Sequence, residues 1–182
     1  MGQLFVVTGP SGAGKREVLE RSTQMGFDFF PIVSYTTRDK REEEVEGEDY
    51  KYISRKNFQD MIDKDEMLEW TEVHKNMYGT KNSEVDEALR SNEKVFIEVD
   101  PTGARKIKEK KPEAIVFFIM PSSYENLKKR LKDLSEDELK ARIDIGKKEL
   151  EKLLEWDYLI VFEDDKIDQA VSDLIKNVKE NL

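Results

Sequence analysis

Short apolar runs alternate with longer segments of helical periodicity along most of this chain. The first run, residues 4–8, is apolar from Leu4 to Val7, which is typical of a strand buried on both faces of a parallel sheet. Strands that alternate with helices favour an α/β fold with a parallel sheet. The predicted strands are 4–8, 31–34, 95–99, 115–120 and 158–162, and the predicted helices are 15–25, 82–91, 101–110, 123–132, 136–154 and 167–182.

Two helix starts carry a recognisable capping pattern. Ser135 with Glu138 forms an S-x-x-E capping box, in which each side chain can bond the backbone N–H of the other. Asp165 with Asp168 offers a weaker version before the last helix. We therefore expect helices to begin at both places.

Two polar stretches interrupt the alternation. Residues 34–80 are rich in Arg, Glu and Tyr and predict short strands at 50–53 and 68–73 around one helix at 56–63. Residues 123–147 carry many basic groups and predict a mobile helical lid. We expect one domain with a core of residues 1–33, 81–122 and 148–182, a mixed or antiparallel insert at 34–80 and a lid at 123–147.

A glycine-rich segment between the first strand and the first helix fits the phosphate-binding pattern G-x-x-x-x-G-K-[ST] at every position but the last. Its glycines let successive backbone N–H groups surround a phosphate, and its lysine adds a positive charge. The following helix directs its positive end at the anion. A glycine-rich turn that binds nothing is the less favoured interpretation. The segment consists of Gly9, Pro10, Ser11, Gly12, Ala13, Gly14, Lys15 and Arg16.

Composition excludes several classes of function. The 182 residues include 31 basic and 40 acidic side chains, and the net charge of −9 argues against binding to duplex nucleic acid. Without cysteine, and with His74 as the one histidine, neither disulfides nor thiolate or multi-histidine metal sites are available. No apolar stretch approaches the length of a membrane span, so we expect a cytoplasmic protein. His74 itself is expected to be structural or on the surface.

A second cluster of polar residues suits a phosphate dianion. Ser34, Arg38 and Arg41 lie within eight residues, and Tyr50 and Tyr78 follow at a distance. Arginine gives bidentate, permanently charged contacts, and hydroxyl groups add short hydrogen bonds. Taken alone, the two arginines would more often be solvated surface charges. Together with the glycine-rich segment, the cluster suggests phosphoryl transfer to a nucleoside monophosphate.

Glu69 lies in the strand-like frame 68–70. A carboxylate there can accept from two adjacent N–H donors, which guanine presents and adenine lacks. Taken alone, Glu69 would be an outward-facing strand residue, but Tyr78 and Thr80 downstream favour base reading.

These blocks resemble the guanylate kinase family over nearly the whole chain. The resemblance implies a three-layer P-loop kinase core with a parallel sheet, a GMP-binding insert and a helical lid. The matching residues are Gly9-Pro10-Ser11-Gly12-x-Gly14-Lys15, Ser34-x-Thr36-Thr37-Arg38-x-x-Arg41, Glu44-x-x-Gly47-x-Asp49-Tyr50, Leu68-Glu69-Trp70, Tyr78-Gly79-Thr80 and Asp100-x-x-Gly103-Ala104.

The same resemblance implies that the protein transfers the γ-phosphoryl group of ATP to GMP, with Mg²⁺ accompanying ATP. ATP and GMP are then the partners, and neither nucleic acid nor membrane is expected. Residues 9–16 would bind ATP, and Asp100 would position GMP or, through water, the metal-bound phosphates. The expected GMP-binding residues are Ser34, Arg38, Arg41, Glu44, Tyr50, Glu69, Tyr78 and Thr80, and the expected catalytic residues are Lys15, Arg38, Arg41, Asp100, Arg130 and Arg142.

The chain departs from the family pattern on its ATP side. Arg16 and Glu17 replace the small or hydroxyl-bearing residues that follow the loop lysine, so no hydroxyl is offered to Mg²⁺. The lid segment 132–135 is short and lacks the usual Arg-Gly pair, with Lys132 as a partial substitute. Asp164 stands where the family usually has Asn. These changes favour the alternative of a guanylate kinase-like binding module with weak or no catalysis, whereas the intact GMP side favours the enzyme.

Overall fold

The computed structural model describes residues 2–73, 75–131, 135–150 and 155–182, apart from the side chains of Tyr124, Ile145 and Leu150. The expectations for His74 and Lys132 lie outside the described residues. In chain order the elements are β1 (Gln3–Thr8), α1 (Lys15–Gln24), β2 (Phe30–Pro31), β3 (Tyr35–Thr36), β4 (Lys51–Tyr52), α2 (Arg55–Asp63), β5 (Met67–Val73), β6 (Asn76–Lys81), α3 (Asn82–Ser91), β7 (Lys94–Glu98), α4 (Pro101–Lys110), β8 (Ile115–Pro121), α5 (Tyr124–Arg130), α6 (Glu136–Leu150), β9 (Tyr158–Phe162), a 3-10 turn (Asp164–Lys166) and α7 (Ile167–Glu180).

The main sheet has five parallel strands in the order β2-β7-β1-β8-β9. Its central strand β1 is apolar from Leu4 to Val7, and helices cover both of its faces. Phe5 and Val7 pack in one cluster with residues of α1 and α7, while Leu4 and Val6 pack in another with residues of α3 and α4. The predicted three-layer α/β fold, in which helices cover both faces of a parallel sheet, is confirmed.

The second sheet is built from the polar region and has the order β4-β3-β6-β5. Strand β3 pairs parallel with β4 and antiparallel with β6, and β6 pairs antiparallel with β5, so the sheet is mixed. Phe58 of α2 is fully buried in a small cluster with Met67 and Met77. Ser54 caps α2 by accepting a hydrogen bond from Asn57 N at 3.1 Å. This sheet and its helix form the insert.

The strand predicted at 31–34 is shorter and lies one residue earlier, as β2. Ile32 N still donates to Phe96 O at 2.8 Å, but the chain then leaves for the second sheet, where Ser34 O accepts from Lys51 N at 2.9 Å. Residues 76–81, which had no predicted strand, form β6 because they pair with β5 and β3. The short strands of the insert thus depend on partners that the local pattern does not reveal.

The predicted capping pair is confirmed at Ser135 and wrong at Asp165, although both helices begin where they were predicted, at Glu136 and Ile167. Ser135 N donates to Glu138 Oε2 at 3.2 Å, and Glu138 N lies 3.4 Å from Ser135 Oγ, as the capping box requires. The Asp165 and Asp168 pair makes no such cap, because Asp164–Lys166 form a 3-10 turn and α7 begins after Lys166 without a side-chain cap. In the described parts of the chain, no helix is long and apolar enough to cross a membrane.

Candidate nucleotide site

The glycine-rich loop follows β1 and leads directly into α1. Gly9, Gly12 and Gly14 all have positive φ angles, of 144°, 80° and 89°. A Cβ on Gly9 would lie 2.1 Å from Ile119 O, so the loop can pass β8 only with glycine there. Lys15 Nζ donates to Gly9 O at 3.2 Å and to Pro10 O at 3.3 Å. The loop therefore has the curled backbone and the lysine that a phosphate site needs.

Arg16 extends from the start of α1 towards the insert. Its Nε donates to Glu20 Oε1 at 2.8 Å, and its Nη1 forms an ion pair with Asp49 Oδ1. The side chain of Asp49 is 5% exposed, whereas that of Arg16 is 59% exposed. The sequence suggested an ATP-binding role for Arg16 and did not reveal Asp49 as its partner.

Two carboxylates stand at the end of β7, beside the loop. Glu98 Oε1 lies 3.9 Å from Lys15 Nζ, and its side chain is 39% exposed. Asp100 Oδ1 accepts from Gly103 N at 2.7 Å and so caps α4. Glu98 was not among the predicted site residues, although its position at the carboxyl end of a core strand, next to the loop strand, is where ligand-binding groups of such sheets gather.

Arg38 is held in place by a carboxylate of the insert. Its Nη1 and Nη2 donate to Glu44 Oε2 and Oε1 at 2.9 and 2.7 Å, and Glu44 also accepts from Arg41 N and Tyr52 OH, each at 2.8 Å. Mainly through this bidentate contact, the pKa of Glu44 falls to about 2. Glu44 thus orients Arg38, and Tyr52 is a supporting residue that sequence reasoning missed.

The two predicted tyrosines lie beside this arginine. The Arg38 guanidinium carbon is 5.5 Å from the centre of the Tyr50 ring, and the rings of Tyr50 and Tyr78 meet edge-on with centres 5.8 Å apart. Burial is the main cause that raises the pKa of Tyr50 to about 12, so its hydroxyl stays protonated and can donate. The side chain of Arg41 is exposed, and its backbone N–H is held by Glu44. Of the predicted phosphate-binding residues, the structure therefore brings Arg38, Tyr50 and Tyr78 together.

A buried polar chain joins β5, β6 and the residue that precedes β3. Thr80 Oγ1 donates to Glu69 Oε1 at 2.8 Å and lies 3.0 Å from Ser34 Oγ. The register of β5 and β6, which pairs Glu69 with Thr80, brings these groups together. Glu69 is 4% exposed, and burial, assisted by nearby Asp100, raises its pKa to about 7 against the opposing hydrogen bond from Thr80.

The Glu69 carboxylate packs against the backbone of Gly103, where a side chain would not fit. A Cβ at this position would lie 2.9 Å from Glu69 Oε2 and 3.3 Å from Asp100 Oδ1. The glycine of the Asp100-x-x-Gly103 block is therefore needed because two carboxylates approach its backbone. This contact joins the base-reading candidate of the insert to the capped start of α4 in the core.

The two arginines of the lid region both reach the loop. Arg130 Nε donates to Gly12 O at 2.8 Å, its guanidinium forms ion pairs with Glu17 and Asp164, and it lies 4.8 Å from the centre of the Phe162 ring. Arg142 Nη1 contacts Ser11 Oγ. Two of the residues that depart from the family pattern, Glu17 and Asp164, thus meet at Arg130, which no sequence signal indicated. The predicted clamp on the transferred group stays a prediction.

A parallel α/β core with a glycine-rich loop and its lysine between β1 and α1, together with a second, mixed sheet, is the architecture of a P-loop kinase. The family model described as guanylate kinase matches residues 1–181. The chain belongs to the guanylate kinase family.

Similar proteins span nearly the same length. Guanylate kinase of Fusobacterium nucleatum is 39% identical over 183 residues, covering 98% of this chain and 97% of the relative. That of Nitrosospira multiformis is 36% identical over 176 residues, covering 95% and 83%. The crystal structure of guanylate kinase from Anaplasma phagocytophilum superimposes with a TM-score of 0.76 at 29% identity, covering 98% of this chain and 85% of that one.

Proposed function

We propose that the protein transfers the γ-phosphoryl group of ATP to GMP, giving ADP and GDP. Membership of the guanylate kinase family supports this activity. The observation that carries the proposal is the contact between the two phosphate sites. Arg16, next to the loop lysine, forms an ion pair with Asp49, which directly precedes Tyr50 of the acceptor cluster. The donor loop and the acceptor cluster therefore border the same cleft.

On the donor side, the loop and the lid arginines supply positive charge. Lys15 holds Gly9 O and Pro10 O with hydrogen bonds that ATP phosphate oxygens can replace. Arg142, at Ser11, and Arg130, at Gly12, stand beside the same loop. Phosphoryl transfer asks little covalent chemistry of a protein, so positioned charges of this kind account for most of the catalysis.

On the acceptor side, we assign the GMP phosphate to Arg38, Arg41, Tyr50 and Tyr78, with the Ser34 hydroxyl near them. Glu44 keeps the Arg38 fork in a fixed orientation, which reduces the ordering that GMP binding must supply. The guanine base would lie at the buried chain of Glu69, Thr80 and Ser34. Glu69 can accept from both N–H donors of guanine, and this gives selectivity against adenine.

Mg²⁺ is the cofactor that we propose, bound together with ATP. Arg16 offers no ligand atom, so the carboxylate oxygens of Glu98, and of Asp100 through water, fit the ion best. In the described residues, no group of three or more His, Cys, Asp or Glu side chains could hold a metal. The nucleotide and water would supply most ligands, and the ion would neutralise charge on the phosphates.

Because both substrates belong to the cytoplasmic nucleotide pool, we expect the protein to act there.

A coupled assay of ADP release tests the proposal. With ATP and Mg²⁺, we expect turnover that depends on GMP, with AMP and no acceptor both near background. Arg38→Ala and Glu69→Ala should each lower kcat/KM for GMP about 100-fold or more, as loss of a charge-assisted contact implies. Arg90→Ala, an exposed arginine of α3, is the matched control and should leave the rate unchanged.

The second candidate is a binding module that retained the GMP pocket. The contacts of Arg130 with Glu17 and Asp164 favour it because they neutralise an arginine beside the donor loop. Calorimetry separates the two functions. GMP binding without turnover at millimolar Mg·ATP identifies the module and contradicts the enzyme.

A further inference from the structure

We propose that Arg16 is a positioning residue for the acceptor: its ion pair with Asp49 fixes the turn at 45–50, and through it Tyr50, against the donor loop. This inference rests on the proposed function, because it gives a residue of the donor loop a role in GMP binding. Position 16, where the loop pattern has a hydroxyl for Mg²⁺, would then serve to position the acceptor site.

Two carboxylates, one on each side, hold the guanidinium of Arg16. Glu20, one turn further along α1, accepts from Arg16 Nε at 2.8 Å, while Nη1 points to Asp49 Oδ1 of the insert. Contact with two carboxylates, Glu20 first, raises the pKa of Arg16, so the guanidinium is charged at every relevant pH. The guanidinium thus has one partner on its own helix and one on the insert.

Asp49 connects Arg16 to the acceptor cluster through the turn that ends at Tyr50. Its second oxygen, Oδ2, accepts from Val45 N at 2.7 Å, while Asp49 N donates to Val45 O at 3.0 Å. Gly47 N donates to Tyr50 O at 3.0 Å, and Gly47 has a φ of 81°. The turn from Val45 to Tyr50 is therefore closed by its own hydrogen bonds. A shift of Asp49 would move Tyr50, whose ring lies against Tyr78 and Arg38.

The ion pair spans an open crevice between α1 and the insert. A cavity of about 280 Å³ lies here, and its lining includes Leu19 and Thr23 of α1, Phe96 of β7, and Glu48 and Tyr50 of the insert. Where a cavity separates two elements, apolar packing does not fix their distance. The ion pair of Arg16 and Asp49, which also line this cavity, can set that distance instead.

Asp49 needs the charge of Arg16, so moving Arg16 to a nucleotide phosphate would cost free energy. The Asp49 side chain is 5% exposed; Val45 N donates to its Oδ2, and Arg16 supplies the compensating positive charge at its Oδ1. Drawing Arg16 to a phosphate would leave a buried carboxylate without a counter-charge, which is costly. We therefore assign Arg16 to the turn and not to ATP.

The test is a double-mutant cycle on ligand affinity, measured by calorimetry so that it does not require turnover. Asp49→Asn keeps an acceptor for Val45 N but removes the charge. We expect Arg16→Ala and Asp49→Asn each to weaken GMP binding about 5–10-fold, close to the tenfold that corresponds to about 1.4 kcal/mol. The double variant should lose no more GMP affinity than the single variant that binds GMP less tightly. Arg16→Lys should recover part of the affinity that Arg16→Ala loses.

Affinity for a non-hydrolysable ATP analogue distinguishes positioning from a general defect, and should stay within about twofold in these variants. Arg21→Ala is the matched control on the same helix, because it removes an exposed ion pair with Asp168 outside the cleft. Fully additive losses, unchanged GMP affinity, or an equal loss for the ATP analogue would overturn the proposal. A protein that binds GMP but does not turn over contradicts the proposed activity alone and leaves this cycle interpretable.

Discussion

At the scale of single residues, Glu69 links the chemistry of the site to pH. Its pKa of about 7 lies above the ordinary value because burial disfavours the charge. Guanine offers N–H donors, so GMP needs the ionised carboxylate, and at lower pH binding must first release a proton. We expect GMP affinity to be constant above about pH 8 and to fall by up to about tenfold per pH unit below pH 7. Calorimetry between pH 5.5 and 8.5 measures this.

The phosphate of GMP also titrates, near pH 6, and must be separated from Glu69. Guanosine carries the same base without a phosphate, so its affinity should show the same loss at low pH. Glu69→Gln should bind guanosine more weakly and without pH dependence across this range. If guanosine affinity in the unsubstituted protein does not change with pH, Glu69 is not the titrating group.

Residue types at the site could be predicted from the sequence, but their partners could not. Arg38 stands near four glutamates in residues 42–46, and only the folded turn selects Glu44. Arg16 and Asp49, or Arg130 and Asp164, are separated by more than 30 positions, so their meeting depends on the fold. Local sequence therefore indicated phosphate chemistry and left open which charges remain available to a ligand.

At the scale of elements, the same division holds. Strand β1 was predictable because both of its faces are buried, which leaves an unbroken apolar run. Strands β3 and β4 have two residues each and carry no periodicity, so pairing alone defines them. The predicted cap at Asp165 failed because the chain takes a 3-10 turn before α7, an outcome decided by its path after β9.

The insert has its own small core, and this leads to a prediction at the element scale. Phe58 is fully buried with Met67 and Met77, whereas Phe117 lies in the main core. Phe58→Ala should cost about 3–5 kcal/mol and act mainly on the insert. We expect faster hydrogen exchange within residues 34–80 and a loss of GMP affinity, with binding of an ATP analogue largely kept. Hydrogen exchange with mass spectrometry measures the first effect and calorimetry the others.

Phe117→Ala provides the comparison, because this side chain packs between the main sheet and its helices. Phe117→Ala should accelerate hydrogen exchange in β1, β8 and α7 and lower the affinity for both GMP and the ATP analogue. If Phe58→Ala accelerates exchange equally throughout the chain, the insert does not have the separate local stability that its cluster suggests.

At the scale of the whole molecule, GMP should stabilise the fold by joining its two parts. The ligand would contact the insert through Arg38 and Glu69 and the core near Asp100, which lies with Glu69 around Gly103. A ligand at 100 times its Kd adds about 2.7 kcal/mol, which for a chain of this size raises Tm by about 5–10 °C. AMP shares the phosphate but lacks the N–H pair that Glu69 accepts, so its shift should be much smaller at equal concentration. Scanning calorimetry with each nucleotide, repeated on Glu69→Gln, decides the matter: an equal shift by AMP and GMP would show that the base is not read, and that the acceptor site recognises only a phosphate.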